Sequence, residues 1–141
     1  GPRQRDALLA DGVCVETLET AARWSALPAL AGAVRAALRA ELPASVVLCH
    51  VSHAYETGAS LYFTVLAPRD AEDPAGQWRR AKAAAGDAIA AHHGTITHHH
   101  AVGTDHRPWL GAEIGDLGLE VLRAVKATLD PSGVMNPGKL V

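Results

Sequence analysis

Between Ala59 and Leu66 the chain alternates residue by residue: Leu61, Phe63 and Val65 are apolar, while Ser60, Tyr62 and Thr64 are polar. A period of two belongs to an extended strand, whose successive side chains point to opposite faces. One face of the resulting sheet must be covered by apolar partners, and the other meets something polar. Tyr62 stands in the middle of that polar row. A solvated face would explain it equally well, since antiparallel sheets commonly leave one side to water.

The flanking segments supply the cover. Gly12 to Glu19 is rich in strand-forming types and follows a turn-like Asp11-Gly12, so it reads as a first strand. Trp24, Leu27, Leu30, Ala31, Val34 and Leu38 recur at helical spacing, with Ser25 as N-cap, Pro28 in the first turn and a stop at Leu42-Pro43. Ser45 to His53 is a second strand, joined to the Ala59–Leu66 strand by a loop carrying Glu56-Thr57-Gly58. Asp73-Pro74 opens a second helix with an alanine-rich stripe (Trp78, Ala81, Ala85, Ala88, Ile89), closed by His92, His93 and Gly94. Thr95 to Thr97 completes the series as a fourth strand.

Strand, helix, strand, strand, helix, strand is the order of a ferredoxin-like split βαβ unit, here over residues 1–104. The expected fold class is α+β: an antiparallel sheet with helices on one face. In residues 105–141, Asp105 to Gly111 reads as an irregular connection. Ile114, Leu117, Val121, Val125 and Leu129 then mark a long amphipathic helix, which ends at Asp130-Pro131-Ser132-Gly133 in an extended tail.

A single domain of 141 residues can bury roughly 70% of its unfolded surface. The formal charge of −2 gives no attraction to nucleic acid or to an anionic membrane. Cys14 and Cys49 have neither metal-like nor thioredoxin-like spacing and read as small buried hydrophobes, which favours a reducing, cytoplasmic setting. No apolar run is long enough to span a bilayer and no signal peptide is evident, so membrane association would be peripheral. The opening Gly1-Pro2-Arg3, without methionine, fits a processed product or a segment of something longer.

Three imidazoles in a row, His98, His99 and His100, follow the proposed fourth strand and precede Gly103. In an extended backbone His98 and His100 share one face and His99 takes the other, so at most two converge on one ligand. His92, His93 and His106 lie nearby, and imidazole binds zinc, copper, iron and nickel. The spacing that puts two ligands on one helix face is absent, as is any Cys-x-x-Cys. A solvated turn, a metal site and a catalytic or cofactor-facing cluster all stand as readings.

His98-His99-His100-Ala-Val-Gly103, the strand Ala59-Ser-Leu-Tyr62-Phe63 and the closing Asn136-Pro-Gly-Lys139 together resemble the carboxy-terminal cap domain of FAD-linked oxidases of the vanillyl-alcohol-oxidase type. The histidine triplet and the stretch Glu16 to Trp24 are most similar to the alkyldihydroxyacetonephosphate synthase branch. The resemblance covers nearly the whole chain. It implies FAD held mainly by an amino-terminal FAD-binding domain, which would be the chain's partner, and possible homodimerisation. The open sheet face would look onto flavin and a small-molecule or lipid-like substrate. Carried over by motif, Tyr62, His98, His99 and His100 are the catalytic set. His99, His100, Asn136 and Lys139 face the cofactor, and Arg5 holds a charged substrate group.

The implied activity is the ether-lipid type exchange of acyl for alkyl on dihydroxyacetone phosphate, without net oxidation. Tyrosine and histidine would move protons, which typically contributes a factor of about 10² to 10⁴, and Arg5 would fork onto the phosphate. Ala101 stands where the family more often has glycine, and Thr104-Asp105 where it has a basic residue. The Asn-Pro-Gly-Lys ending suits hydroxy-acid oxidases better. The alternatives are therefore an FAD-linked oxidase or dehydrogenase of a hydroxy acid or alcohol, and a ferredoxin-like binding module with a histidine metal site. The chain alone is expected to be inactive.

Overall fold

The computed structural model describes residues 2–141, with side chains from Gln4 onward; Gly1 and the side chains of Pro2 and Arg3 lie outside the described residues. In chain order the elements are α1 (Pro2–Ala10), β1 (Val13–Arg23), α2 (Leu27–Glu41), β2 (Val46–Ala54), β3 (Gly58–Pro68), α3 (Pro74–Ala91) and α4 (Gly103–Leu129). The three strands form one antiparallel sheet in the order β1-β3-β2, so the alternating strand that dominates the sequence is the central one. Its apolar row, Leu61, Phe63 and Val65, is buried beneath α2 and α3.

α2 presents Leu27, Leu30, Val34 and Leu38 to the sheet, the i, i+3, i+4 stripe expected of a helix lying on a core. Its start differs from expectation: the cap position is Ala26, with no side-chain bond, and Ser25 lies outside. Proline near the helix start stands in for a cap by removing an N–H that would otherwise lack a partner. α3 begins as its sequence predicts, with Asp73 accepting from the Gly76 N–H at 2.8 Å ahead of Pro74. At its far end His93 takes the left-handed turn (φ 55°). Gly94 serves close approach instead: a Cβ there would lie 2.9 Å from Thr20 Oγ1 and 3.0 Å from Leu30 Cδ2.

The expected fourth strand does not form. Thr95 runs beside β1 and donates one backbone bond to Ala21 O at 2.9 Å. Side chains take the neighbouring main-chain groups: Thr20 Oγ1 donates to Thr95 O at 2.6 Å, and Glu113 accepts from the Ile96 N–H at 2.8 Å. Left-handed backbone at His99 (φ 63°) and Ala101 (φ 61°) then ends any extended path. The split βαβ plan therefore keeps three of its four strands.

Two further differences concern helices. α1 precedes β1, where no element was expected. The stretch Asp105–Gly111, read as irregular, is the first arm of α4, which bends at Gly115 (φ 73°, ψ 171°). Contacts from α3 hold this arm: Lys82 meets Asp105 at 2.9 Å, and Trp109 Nε1 donates to Asp87 at 2.7 Å with its ring over Gly86. No helix among the described residues is long and apolar enough to cross a membrane.

His106, on this arm, is buried, with Nδ1 facing the carbonyls of Ala101 and Val102 at 2.9 and 3.0 Å. Burial, helped by the Lys82 charge, lowers its pKa from 6.5 and keeps it neutral. The unfolded chain therefore binds the extra proton first. Stability should fall as pH drops below about 6.5, at up to about 1.4 kcal/mol per pH unit for one proton. Urea unfolding at a series of pH values should show that component in the wild type and lose it in His106→Gln.

Candidate functional site

The sheet face away from the helices carries odd positions of β1 and even positions of β2 and β3. It presents Thr17 and Glu19, then Leu48, His50 and Ser52, then Ser60, Tyr62 and Thr64. Register places Glu19, Tyr62 and His50 in one row across all three strands. The Tyr62 and His50 rings lie 5.3 Å apart.

Glu19 is the centre of this face and only 4% exposed. A carboxylate removed from water is costly unless charge and hydrogen bonds replace the lost hydration. Ser52 Oγ donates to it and lies 2.6 Å from Ser60 Oγ. Three imidazoles surround it: His98 Nδ1 at 3.3 Å, His53 Nδ1 at 3.7 Å and His100 Nε2 at 3.8 Å. Burial pushes the Glu19 carboxyl up, but the hydroxyls of Ser52 and Ser60 together with His98 outweigh it and hold it below the ordinary carboxylate value. Glu19 is thus ionised at neutral pH. The His98 contact lies off the axis of a hydrogen bond, which leaves the buried Nδ1 atom with a charged neighbour and no aligned partner.

His98 and His100 do reach one target, as their spacing of two suggests, yet the backbone between them is not extended. The left-handed His99 lets both neighbours turn inward. His99 itself stacks on His98, with centroids 4.0 Å apart and planes at 28°, and meets His53 edge-on at 4.6 Å. Tyr62 approaches His100 through its ring, at 5.7 Å.

The metal reading changes in composition. Among the described residues the one histidine group with ligand atoms within 4.8 Å of one another is His53, His98 and His99; His92, His100 and His106 do not join it. An imidazole ligand binds through a lone pair in its ring plane at about 2.0–2.1 Å from zinc. The near-parallel stacked rings of His98 and His99 cannot both place one ion in plane as they stand. His98 Nε2 is moreover engaged by Tyr55, whose hydroxyl lies 3.0 Å away.

Of the other residues singled out from sequence, Arg5 pairs with Glu16 at 3.6 Å. Glu16 is three positions from Glu19, so strand alternation puts it on the opposite face of β1, and Arg5 is not brought to the histidines. Asn136 and Lys139 lie beside Ala101 and Val102, just past the histidine run, in a groove of about 610 Å³ that Leu122, Val125 and Leu129 also line. Asp130 ties that tail down by accepting from the backbone N–H groups of Val134 and Met135 and from Lys126.

Sequence reasoning missed Glu19, His53, Tyr55 and the two serines. A signal was available in β1, where Val15, Thr17 and Glu19 share the parity that faces the polar row of β3. The strand-forming run read from sequence stops at Glu19, whereas β1 continues to Arg23.

Residues 1–140 match the family described as FAD linked oxidases, C-terminal domain. Alkyldihydroxyacetonephosphate synthase of Trypanosoma brucei brucei is 37% identical over 93 residues, covering 66% of this chain and 15% of that protein. The Caenorhabditis elegans protein of the same name is 31% identical over 144 aligned positions, covering 97% of this chain and 24% of its own length. The cytochrome-type mitochondrial D-lactate dehydrogenase of Arabidopsis thaliana is 46% identical over 48 residues, covering 34% of this chain and 8% of that protein. A solved structure of alkyldihydroxyacetonephosphate synthase superposes over 99% of this chain and 23% of its own, with a TM-score of 0.63 and 25% identity. The chain spans between about a seventh and a quarter of the synthase relatives' length. Since the family match runs almost from end to end, and a solved synthase structure superposes over nearly the whole chain, the chain belongs to the C-terminal domain family of FAD linked oxidases.

Proposed function

We propose that this chain is the substrate-side cap of an FAD-dependent enzyme of the alkyldihydroxyacetonephosphate synthase type, its polar sheet face closing over the flavin. The observation that carries the reading is the buried Glu19 carboxylate, ringed by His53, His98 and His100 beside Tyr62 on the sheet face opposite the α2–α3 core. Such a group is expensive to maintain for solvation alone.

The residues present suit a flat heteroaromatic ring. The Tyr62 and His50 rings and the exposed Leu48 offer a platform with His100 at its rim as a hydrogen-bonding group, and His99 would join from the neighbouring His53–His98 cluster. Asn136 and Lys139 would add contacts from the tail beside Ala101. FAD, when bound, supplies the electrophilic and redox-active ring that no side chain can provide. This chain's own groups would orient the substrate, exclude water and move protons at Tyr62 and the histidines. Arg5 could turn to a substrate phosphate by leaving Glu16, an exposed pair of small worth. An amino-terminal FAD-binding domain is the partner, and the exposed row Leu117, Val121, Val125 and Leu129 on α4 is an apolar surface suited to it.

The D-lactate dehydrogenase match supports a second reading, net oxidation of a hydroxy acid by the same groups. Intact mass and visible absorption of the natural polypeptide carrying this sequence decide the first question. A mass several times that of this chain with flavin absorption is expected, and a flavin-free product would end the proposal. Anaerobic addition of D-lactate separates the two readings: bleaching of the flavin favours dehydrogenation, and an unchanged spectrum with exchange of acyl for alkyl favours the synthase.

A further inference from the structure

Tyr55 belongs to the turn between β2 and β3, a place where an exposed aromatic ring would ordinarily move freely. Here the turn is clamped twice. Tyr55 N–H donates to Gly58 O at 2.8 Å, and Trp24 Nε1, from just beyond β1, donates to the carbonyls of Tyr55 and Glu56 at 3.1 and 3.2 Å. The phenol is thereby held over the histidines, with its hydroxyl 3.0 Å from His98 Nε2. The opposite nitrogen of that ring, Nδ1, is buried and lies 3.3 Å from Glu19 Oε1.

We propose that Glu19, His98 and Tyr55 form a carboxylate–imidazole–phenol relay, which makes Tyr55 a second proton-handling phenol on this face beside Tyr62. The proposal deepens the reading of the face as a reactive one. His98 Nδ1 is buried from solvent and faces one anionic neighbour, Glu19 at 3.3 Å, so the ring proton resides there. Nε2 then keeps its lone pair and accepts the Tyr55 O–H. When a ligand hydroxyl gives its proton to the Tyr55 oxygen, the phenol proton passes to Nε2. One proton enters the relay, one moves along it, and the imidazolium that results is balanced by the Glu19 charge. A positioned carboxylate does the same for other acid–base histidines, by fixing the tautomer and stabilising the cation. Tyr62, by contrast, meets His100 only through its ring.

The groups facing His98 are Glu19 from β1, His53 from β2, Tyr55 from the turn and His99 from its own segment. The test is the His98 tautomer, read from side-chain nitrogen chemical shifts of the 15N-labelled chain at neutral pH. The wild type is expected to carry a pyrrole-type Nδ1 and a pyridine-type Nε2. In Glu19→Gln the amide N–H group can donate to Nδ1, so the two nitrogens should exchange character. Tyr55→Phe should keep the tautomer and move only the Nε2 shift. A wild-type ring protonated at Nε2, or a Tyr55→Phe spectrum with Nε2 unmoved, would overturn the relay even if Glu19→Gln does not fold. Because this readout involves no flavin, a flavin-free natural polypeptide would sink the cofactor reading and leave the relay standing. A flavoprotein with the opposite tautomer would do the reverse.

Discussion

Phe63→Ala is expected to lower the unfolding free energy by about 3–5 kcal/mol and the melting temperature by on the order of 10 °C. Phe63 is fully buried at the middle of the central strand, paired with Leu18 on one side and Cys49 on the other. It is the only phenylalanine in the chain. Its side chain fills the layer between the sheet and α2 and α3, where Leu30, Val34 and Leu38 are likewise sealed from solvent. Truncation removes both the transfer free energy of the ring and the contacts that lined it. A domain with a typical 5–15 kcal/mol of stability would lose a large share of it. Thermal and urea unfolding followed by circular dichroism provide the check. A loss below about 1 kcal/mol would mean that the site collapses easily and is not close-packed.

The position of Phe63 was legible from its neighbours alone, because burial in a sheet repeats every two residues. The same holds for the α2 stripe and for the Asp73 cap, whose signals are confined to a few adjacent positions. What escaped depends on partners distant in sequence. Thr95–Thr97 has the composition of a strand, yet its main-chain groups are claimed by Thr20 and by Glu113, which lies 17 residues away from Ile96. Asp105–Gly111 looks like a loop, since Pro108 precedes its one tryptophan and Gly111 closes it; the helix there depends on anchors from Lys82, Gly86 and Asp87 on α3.

The site divides along the same line. Three consecutive histidines announce themselves, and their resemblance to the flavoprotein motif pointed to the face on which they lie. Glu19 does not, because one acid in a β-rich stretch reads as solvent-facing until register places it beside Tyr62 and histidines from two other segments. Tyr55 was hidden for a related reason: its phenol is held in place by Trp24, 31 residues earlier.

Tyr62→Phe, one residue from Phe63 and on the opposite face, should have the reverse profile. Only a hydroxyl is removed, and the ring contacts with His50 and His100 are kept. Stability is therefore expected to stay within roughly 0.5 kcal/mol of the wild type. On the proposed synthase reading, the natural polypeptide with flavin bound, assayed with a long-chain acyl ester of dihydroxyacetone phosphate and a long-chain alcohol, should lose turnover by about 10² to 10⁴. Flavin content should not change, since the phenyl ring still offers the same platform. Lost flavin would assign the hydroxyl to cofactor binding. Unchanged turnover with full flavin would take Tyr62 out of the chemistry. The proton would then have to pass through the other phenol on this face, Tyr55, with His98 and Glu19 behind it, and Tyr55→Phe in the same assay would inherit the loss.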